Sequence, residues 1–354
     1  MKTLLRLLLK NQHQRNRSGP DQTEKGMTLV ELLVGSIMAF LIITPMLGFV
    51  VDMLNTDRRE QVKSNTEQDI QAAVDFIAQD LSQAIYIYDQ AGITAINNTT
   101  TKLPTPPANT TGTPIIVFWK RQQMKNSVPV NATLTPKPSN CNPAALPGTA
   151  GECNDTFVLS LVAYYQIKDT TPNPTWCQPS GGTCPSRIAR YEIREPIRNP
   201  YTTDATKPYY DAADLTDSQQ GSGAFNKDFD FSKPTVNVTK EAAEAPDFGN
   251  PEVLVNYIDH SPVPILTPCT TALGNPSITT GVTTTPVPEA TLKITDNSTN
   301  SFYACVDTSN NIARVTIRGN SLRRLQTDAN FKSTSSAFFP ITTVQVKGLG
   351  GLGK

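Results

Sequence analysis

The chain has 354 residues with 31 basic and 31 acidic side chains, a balance that indicates neither a nucleic acid nor an acidic partner. This length suits one large domain or two ordinary ones, and 28 prolines with 38% hydrophobic residues favour a loop-rich β domain over a compact α/β enzyme. Only two histidines, His13 and His260, are present, which leaves little scope for metal or general-base chemistry.

Residues 1–26 form a basic, polar leader, with six lysines and arginines against two acidic residues. Positively charged segments next to a membrane-spanning helix stay on the cytoplasmic side. We therefore expect this leader to lie in the cytoplasm. Everything after Val51 is then expected on the other side of the membrane.

Residues 27–51 predict a transmembrane helix in which Glu31 is the only charged residue. A helix of this length spans about 37 Å, enough to cross a bilayer. A carboxylate in such a helix costs about 2.5–3.5 kcal/mol on insertion scales, so it is expected to have a partner. A secretory signal peptide would end in a small-residue cleavage site, which is missing after Val51. A plain signal anchor fits the length but leaves Glu31 unexplained.

The junction between leader and helix resembles the class III signal of type IV pilins and pseudopilins. The resemblance lies in one run of residues: Lys25-Gly26-Met27-Thr28-Leu29-Val30-Glu31-Leu32-Leu33-Val34. It implies that prepilin peptidase cuts the Gly26–Met27 bond, that the new amino terminus of Met27 is methylated, and that Glu31 pairs with a neighbouring subunit's terminal amine. The family usually has phenylalanine in place of Met27, a departure that does not move the cleavage site. The other implied partners are pilins or pseudopilins, through the N-terminal helix, and the inner-membrane assembly platform.

Pro45 and Gly48 interrupt the apolar run. Proline removes a backbone donor and clashes with the preceding helical turn, so we expect a kink close to Pro45. The resemblance to pilins implies that a helix breaker at this depth lets the helix stretch inside a filament.

Residues 52–88 predict a stem helix that continues from the membrane segment. Its first part, 55–68, is polar nearly all round, and an apolar stripe at steps of three and four then follows: Ile70, Val74, Ile77, Leu81, Ile85 and Tyr88. The stripe predicts packing beneath a β-sheet, with a short coiled coil as the alternative. Residues 75–84 resemble the helix of the minor pilin and pseudopilin J/W group, in which the pattern Ile-x-x-Asp-Leu-x-x-Ala recurs.

Residues 89–354 predict a β-rich head on the outer side of the membrane. Seven segments rich in β-branched and aromatic residues are candidate strands: 115–119, 156–168, 187–194, 253–258, 302–306, 313–318 and 341–346. The pattern places no crossover helix between them, which favours antiparallel pairing. Three long polar stretches, 120–155, 199–250 and 261–300, are interpreted as loop insertions.

Six cysteines lie in the head, and proximity pairs them as Cys141–Cys153, Cys177–Cys184 and Cys269–Cys305. Six cysteines allow 15 connectivities, so this pairing is a preference among them. Their spacing does not match zinc ligands, and disulfides indicate an oxidising compartment outside the plasma membrane.

The sequence contains no complete catalytic motif, and we expect neither a cofactor nor a metal. His260 lies between Asp259 and Ser261, but adjacent residues cannot form a catalytic triad, and we interpret it as a polar turn residue. Two polar clusters are weaker candidates for calcium, although turn chemistry explains them as well: Asp211, Asp214 and Asp217, and Asp307 with Ser309 and Asn311.

The sequence therefore predicts an α+β, pilin-like fold: a long N-terminal helix packed on an antiparallel sheet with disulfide-stapled loops. Two further runs stand before the J/W-like helix: Phe40-Leu41-Ile42-Ile43-Thr44-Pro45 and Asn55-Thr56-Asp57-Arg58. With them, residues 26–89 resemble the hormogonium polysaccharide secretion pseudopilin C group of filamentous cyanobacteria. That resemblance implies a minor pseudopilin of a type IV pilus or type II secretion-like apparatus, acting in polysaccharide export and gliding motility. A pilin-displayed adhesin or glycan-binding module, or a membrane-anchored enzyme acting on glycans, are the alternatives.

Overall fold

The computed structural model describes residues 26–97, 103–171, 175–240, 251–265, 267–280 and 282–350. The leader predicted for residues 1–26 lies outside this part of the chain, apart from Gly26. The described residues divide into two compact units at the boundary between Asp57 and Arg58. Each unit is described separately.

The first unit is the N-terminal part of a long helix, α1 (Leu29–Ser82). Its large apolar side chains are exposed as far as Leu54, with Met27 at 70% and Phe40 at 69% of full exposure. Within the described residues, α1 is the one helix long and apolar enough to cross a membrane. Pro45 lies inside α1, which continues past it. The kink at this point stays a prediction.

The second unit contains a five-stranded antiparallel sheet in the order β1-β2-β3-β4-β5. The strands are β1 (Ala84–Ile87), β2 (Thr110–Pro129), β3 (Cys153–Asp169), β4 (Ser186–Arg194) and β5 (Glu252–Ile258). A short helix, α2 (Gln90–Ile96), lies between β1 and β2. Asp89 caps this helix by accepting a hydrogen bond from the Gly92 amide at 2.7 Å.

A four-stranded antiparallel sheet in the order β11-β10-β9-β8 and a separate hairpin complete the unit. The elements follow in chain order: α3 (Cys269–Ala272), β6 (Ser277–Thr280), β7 (Thr283–Pro286), α4 (Glu289–Leu292), β8 (Lys293–Thr295), β9 (Phe302–Asp307), β10 (Ile312–Arg318) and β11 (Ile341–Lys347). Strands β6 and β7 pair only with each other. All seven predicted strands are present, and their antiparallel pairing is confirmed.

The apolar stripe of α1 packs into the main core beside residues of both large sheets. Ile70, Ile77 and Leu81 are fully buried, so the prediction of a helix beneath a sheet is confirmed over this stretch. The approach is close at Gly319, where an added Cβ atom would lie 2.7 Å from the Thr66 side chain. A larger residue there would force the Thr66 side chain or the helix to shift.

The prediction that the stem helix continues to Tyr88 is wrong at its end. The helix stops at Ser82, and Ala84–Ile87 forms β1, in which Tyr86 pairs with Trp119 and Ile87 with Phe118. The β-branched and aromatic residues of this segment fit either periodicity. Pairing with β2 decides the outcome, because strand preference depends on packing against neighbours.

Two of the predicted loops also contain regular structure. Strand β2 runs on to Pro129 and β3 begins at Cys153, so the insertion predicted for 120–155 is reduced to residues 130–152. The stretch 261–300 contains α3, α4 and three strands. Much of this structure faces solvent on at least one side, so it lacks the apolar pattern by which buried strands are recognised.

The three predicted disulfides are confirmed, with Cα–Cα distances of 5.7, 4.9 and 5.2 Å in chain order. Cys141–Cys153 closes the loop before β3, and Cys177–Cys184 closes the loop between β3 and β4. Cys269–Cys305 joins α3 to β9 across a sequence separation of 36. Both of its cysteines belong to a small second core with Val287, Leu292 and Tyr303.

Replacing Cys269 and Cys305 together by serine is expected to lower the free energy of unfolding by about 4 kcal/mol, since the freed loop is long. The matched replacement of Cys177 and Cys184, separated by seven residues, is expected to cost about 2 kcal/mol. Urea unfolding of the full chain in detergent measures both. A larger loss for the short loop would contradict this ranking.

Candidate functional site

The amino-terminal end of α1 is the first candidate site, because the predicted processing residues lie there. Gly26, Met27 and Thr28 are exposed and precede the helix, and an added Cβ atom on Gly26 would meet no atom within 4 Å. The Gly26–Met27 bond is therefore in non-helical, accessible chain. A protease binds its substrate as extended chain, and a peptide bond inside a helix does not have that conformation.

Thr28 and Glu31 form a capping box at the start of α1. Glu31 Oε2 accepts hydrogen bonds from the Thr28 amide and the Thr28 hydroxyl, both at 3.1 Å. In return, Thr28 Oγ1 accepts from the Glu31 amide at 3.3 Å. This reciprocal arrangement satisfies amides that the first helical turn leaves unpaired, and the helix dipole favours a negative charge at the same place.

The capping box changes the interpretation of Glu31. Among residues 26–350 that the structure describes, both hydrogen bonds to its carboxylate end on Oε2, so Oε1 of this exposed residue is open to a further donor. The cost of a carboxylate in an apolar segment is thus partly offset inside the same helix. Sequence reasoning missed this cap, although threonine followed three residues later by glutamate is its recognised signal.

The second candidate site is a buried ionic cluster around Asp80, which lies in the part of α1 that resembles the J/W helix. Asp80 is 7% exposed and accepts hydrogen bonds from three neighbouring strands. The donors are Lys120 Nζ of β2 at 2.9 Å, Tyr164 OH of β3 at 2.7 Å and Arg190 Nε of β4 at 2.8 Å. A single carboxylate therefore joins α1 to the centre of the five-stranded sheet.

Glu192 completes the charge balance of this cluster. It pairs with Arg190 at 2.6 Å and lies 3.8 Å from Lys120, so two carboxylates face two cations. Burial raises the pKa of Asp80, but the bonds from Lys120, Tyr164 and Arg190 outweigh it and hold that pKa below its usual value of 3.8. Burial and the nearby Asp80 carboxylate raise the pKa of Tyr164. Asp80 is thus ionised and paired at neutral pH, which suits a structural link.

The Asp259-His260-Ser261 segment follows β5, and its three side chains bind three different partners. Asp259 Oδ2 accepts from Arg318 Nε at 2.8 Å, and Ser261 Oγ accepts from the Phe331 amide at 2.8 Å. The buried His260 ring lies 3.1 Å from Asn330 Oδ1, and burial lowers its pKa. These three side chains therefore do not bond one another in the manner of a catalytic triad, which agrees with the expectation that adjacent residues cannot form one. His260 is, however, more buried than a turn residue on the surface.

The two calcium candidates have separate structural roles. Asp307 accepts from the backbone amides of Ser309 and Asn310, whereas Asn311 donates to the Ala84 carbonyl of β1 at 2.9 Å. Asp214 of the other cluster pairs with Lys137 at 2.6 Å. No group of three or more histidines, cysteines or carboxylates that could hold a metal occurs in the described ranges.

Comparison with known proteins adds no relative. A scan against family models, a search of curated proteins and a search of solved structures each find no match for the chain. The function is therefore inferred from the residues of this chain.

Replacing Asp80 by asparagine is expected to lower the free energy of unfolding by about 3 kcal/mol, because it leaves two buried cations with one carboxylate. This is the lower end of the range for a broken buried ion pair, since Glu192 still pairs with Arg190. The control is Asp75→Asn, which changes an exposed carboxylate of the same helix. Chemical unfolding near neutral pH measures the difference, and equal losses for both variants would contradict the role of Asp80.

The native chain and the Asp80→Asn variant can also be compared at different pH values. A carboxylate whose pKa is lowered by folding contributes stability above its unfolded pKa, and loses it as the pH falls through the folded value. The gap between the native chain and Asp80→Asn should therefore close as the pH falls below 3.8, the usual value for this carboxyl. A gap that stays constant under acid conditions would show that Asp80 acts through its shape and not its charge.

Proposed function

We propose that this chain is a minor pseudopilin, a subunit of a type IV pilus or type II secretion-like apparatus. The leader stays in the cytoplasm, α1 is anchored in the inner membrane, and the head lies on the periplasmic side. Prepilin peptidase removes the leader, and the assembly platform then adds the subunit to a fibre that can reach the cell surface. The resemblance of residues 26–89 favours a role in polysaccharide secretion during gliding motility.

The observation that carries this proposal is the arrangement of residues at the start of α1. An accessible Gly26–Met27 bond is followed at once by an exposed apolar helix, with a carboxylate at the fifth position after Gly26. Cleavage would place a new positive amine at Met27. Oε1 of Glu31 then offers an acceptor for the amine of a neighbouring subunit, while Oε2 keeps the helix cap.

The exposed apolar side chains of α1 support the same proposal. Lipid covers such a surface while the subunit is in the membrane, and the helices of neighbouring subunits would cover it after assembly. An unpaired carboxylate in that environment favours the register in which it meets an amine. Pairing between Glu31 and Met27 of a neighbour would therefore set the position of each new subunit along the fibre.

The head supports a displayed role. Its three disulfides suit an oxidising exterior. A buried ionic link also holds the head against α1. The long loops between its strands provide surface for other pseudopilins or for the exported polysaccharide.

Expression of the full chain together with prepilin peptidase is expected to yield a mature protein that begins at Met27 with one added methyl group. Mass spectrometry of the intact protein and of its N-terminal peptide measures this directly. An inactive peptidase is the control, and it should leave the leader in place. A mature chain that begins at any other residue would overturn the assignment.

Replacing Glu31 by alanine is expected to leave cleavage intact and to abolish incorporation into fibres, because the neighbour's amine loses its partner. Immunoblots of sheared fibres and of the membrane fraction measure the two steps separately.

Because Glu31→Ala also removes the helix cap, Thr28→Val serves as the matched control. It loses the capping hydroxyl at a cost of about 1 kcal/mol but keeps the carboxylate. Normal incorporation of Thr28→Val with failure of Glu31→Ala is the expected outcome. Equal failure of both processed variants would show that the cap, and not pairing between subunits, is what assembly needs.

A further inference from the structure

Strand β11 forms one edge of the four-stranded sheet, with β10 as its neighbour. All seven of its residues pair with β10 in a single register without a bulge. Its side chains alternate between exposed and half-buried along the whole strand. β11 is therefore a regular strand with one open edge.

The other edge strands in the described part of the chain are short or irregular. The pairing of β1 and of β5 with their neighbours contains shifts of register. Strand β8 has three residues, and β6 and β7 have four each. Short strands and bulges are means by which proteins prevent unwanted pairing at the edges of sheets. Since β11 has neither protection, its edge can accept a further strand.

The hydrogen bonds at the two ends of β11 show which backbone groups point outward. The Gly319 amide donates to the Pro340 carbonyl, and the Gly348 amide donates to the Asn311 carbonyl. Bonded and non-bonded pairs alternate along an antiparallel ladder, so β10 bonds the even-numbered residues of β11. The described residues supply no backbone partner for the amides and carbonyls of the odd-numbered ones: Ile341, Thr343, Gln345 and Lys347.

An open groove of about 800 Å³ lies between the first residues of β11 and α1. On the helix side its lining includes two exposed carboxylates, Glu67 and Asp75. Neither of them forms an ion pair within the described residues. In the same part of the chain, no lysine or arginine lines the groove. The groove beside the open edge thus carries negative charge without a counter-ion.

The open edge and the charge of the groove favour the same kind of occupant. An edge strand binds an extended segment, because main-chain hydrogen bonds then continue the sheet. Side chains of such a segment alternate between the two faces, and those on the side of α1 meet Glu67 and Asp75. Unpaired carboxylates favour cations, so we expect lysine or arginine at alternate positions of the segment.

A second copy of β11 would not supply these cations. In a symmetric antiparallel pair the outward-pointing residues bond each other, which places Lys347 opposite Ile341. Both side chains lie on the exposed face of the sheet, whereas α1 packs with the core on the other face. Glu67 and Asp75 would then stay without a counter-ion, so a segment of a different protein fits the site better.

We propose that β11 is a docking strand, to whose open edge an extended, basic segment of another protein adds. The segment forms main-chain bonds with the odd-numbered residues of β11 and ion pairs with Glu67 and Asp75. This interaction goes beyond the assembly proposed for the start of α1 and uses none of the same residues. Failure of either proposal therefore leaves the other standing.

Fluorescence anisotropy of the full chain in non-ionic detergent tests the proposal. The probe is a fluorescein-labelled peptide as long as β11, in which lysine alternates with threonine and valine. Saturable binding is expected, and a peptide with glutamate in place of lysine should not bind. Equal binding of the two peptides would contradict the role of the carboxylates.

Methylated peptides separate main-chain bonding from attraction by charge. Methyl groups on the threonine and valine amides block the bonds to β11 and leave the charge unchanged, so they should abolish binding. Methyl groups on the lysine amides, which point away from β11, are the matched control and should be tolerated. If both methylated peptides bind alike, strand addition is overturned.

Thr343→Pro removes an outward-pointing amide of β11 without removing a bond to β10, a position at which edge strands tolerate proline. It is expected to weaken binding of the lysine peptide about tenfold, or about 1.4 kcal/mol. Thr343→Val is the matched control, because both variants lose the hydroxyl that bonds Thr316. Equal affinities of the proline and valine variants would overturn the proposal.

Replacing Glu67 by glutamine together with Asp75 by asparagine is expected to weaken binding by a similar factor and to reduce its dependence on salt. The control is Glu60→Gln, which changes an exposed carboxylate of α1 outside the groove that pairs with Lys63. The proposal is overturned if the lysine peptide does not bind. It is also overturned if the chain forms a dimer that excludes the peptide, since a second copy would then occupy the edge.

Discussion

The head depends on the hydrogen bonds that Asp80 accepts from Lys120, Tyr164 and Arg190. Those three donors come from consecutive strands, so the carboxylate fixes both the depth and the rotation of α1 against the sheet. Apolar packing alone would tolerate a small slide of the helix, because it is not directional. Breaking one partner of a buried ion pair costs far more than a surface pair would contribute, which makes this contact a sensitive point of the fold.

The same helix carries a second carboxylate in a different situation. Asp80 has its partners inside the folded chain, whereas within the described residues the Glu31 carboxylate accepts two hydrogen bonds, both from Thr28 and both on Oε2. The first therefore stabilises a domain. The second keeps an open acceptor at the end of an exposed apolar helix, which is the condition that the proposed assembly requires. Asp80 is thus paired within the head, whereas Glu31 is proposed to pair between subunits.

Two segments of the head are stabilised by contacts other than those of the main hydrophobic core. The Cys177–Cys184 loop is braced by Arg323, and the Cys269–Cys305 bridge lies in a core of its own.

The sequence alone determined the features that depend on neighbours along the chain. The apolar run after Met27, the candidate strands and the three cysteine pairs were all recognisable, because each is a local pattern of residue types or spacing. The capping box of Thr28 and Glu31 was equally local and could have been recognised. Tertiary structure decided the rest. Residues 84–87 form a strand because β2 offers hydrogen bonds to them. The role of Asp80 depends on two cations that lie 40 and 110 residues away in the sequence. The cleft lined by Phe76, Trp176 and Tyr257 forms only because three segments far apart in the sequence come together, and no local pattern of residues indicates that.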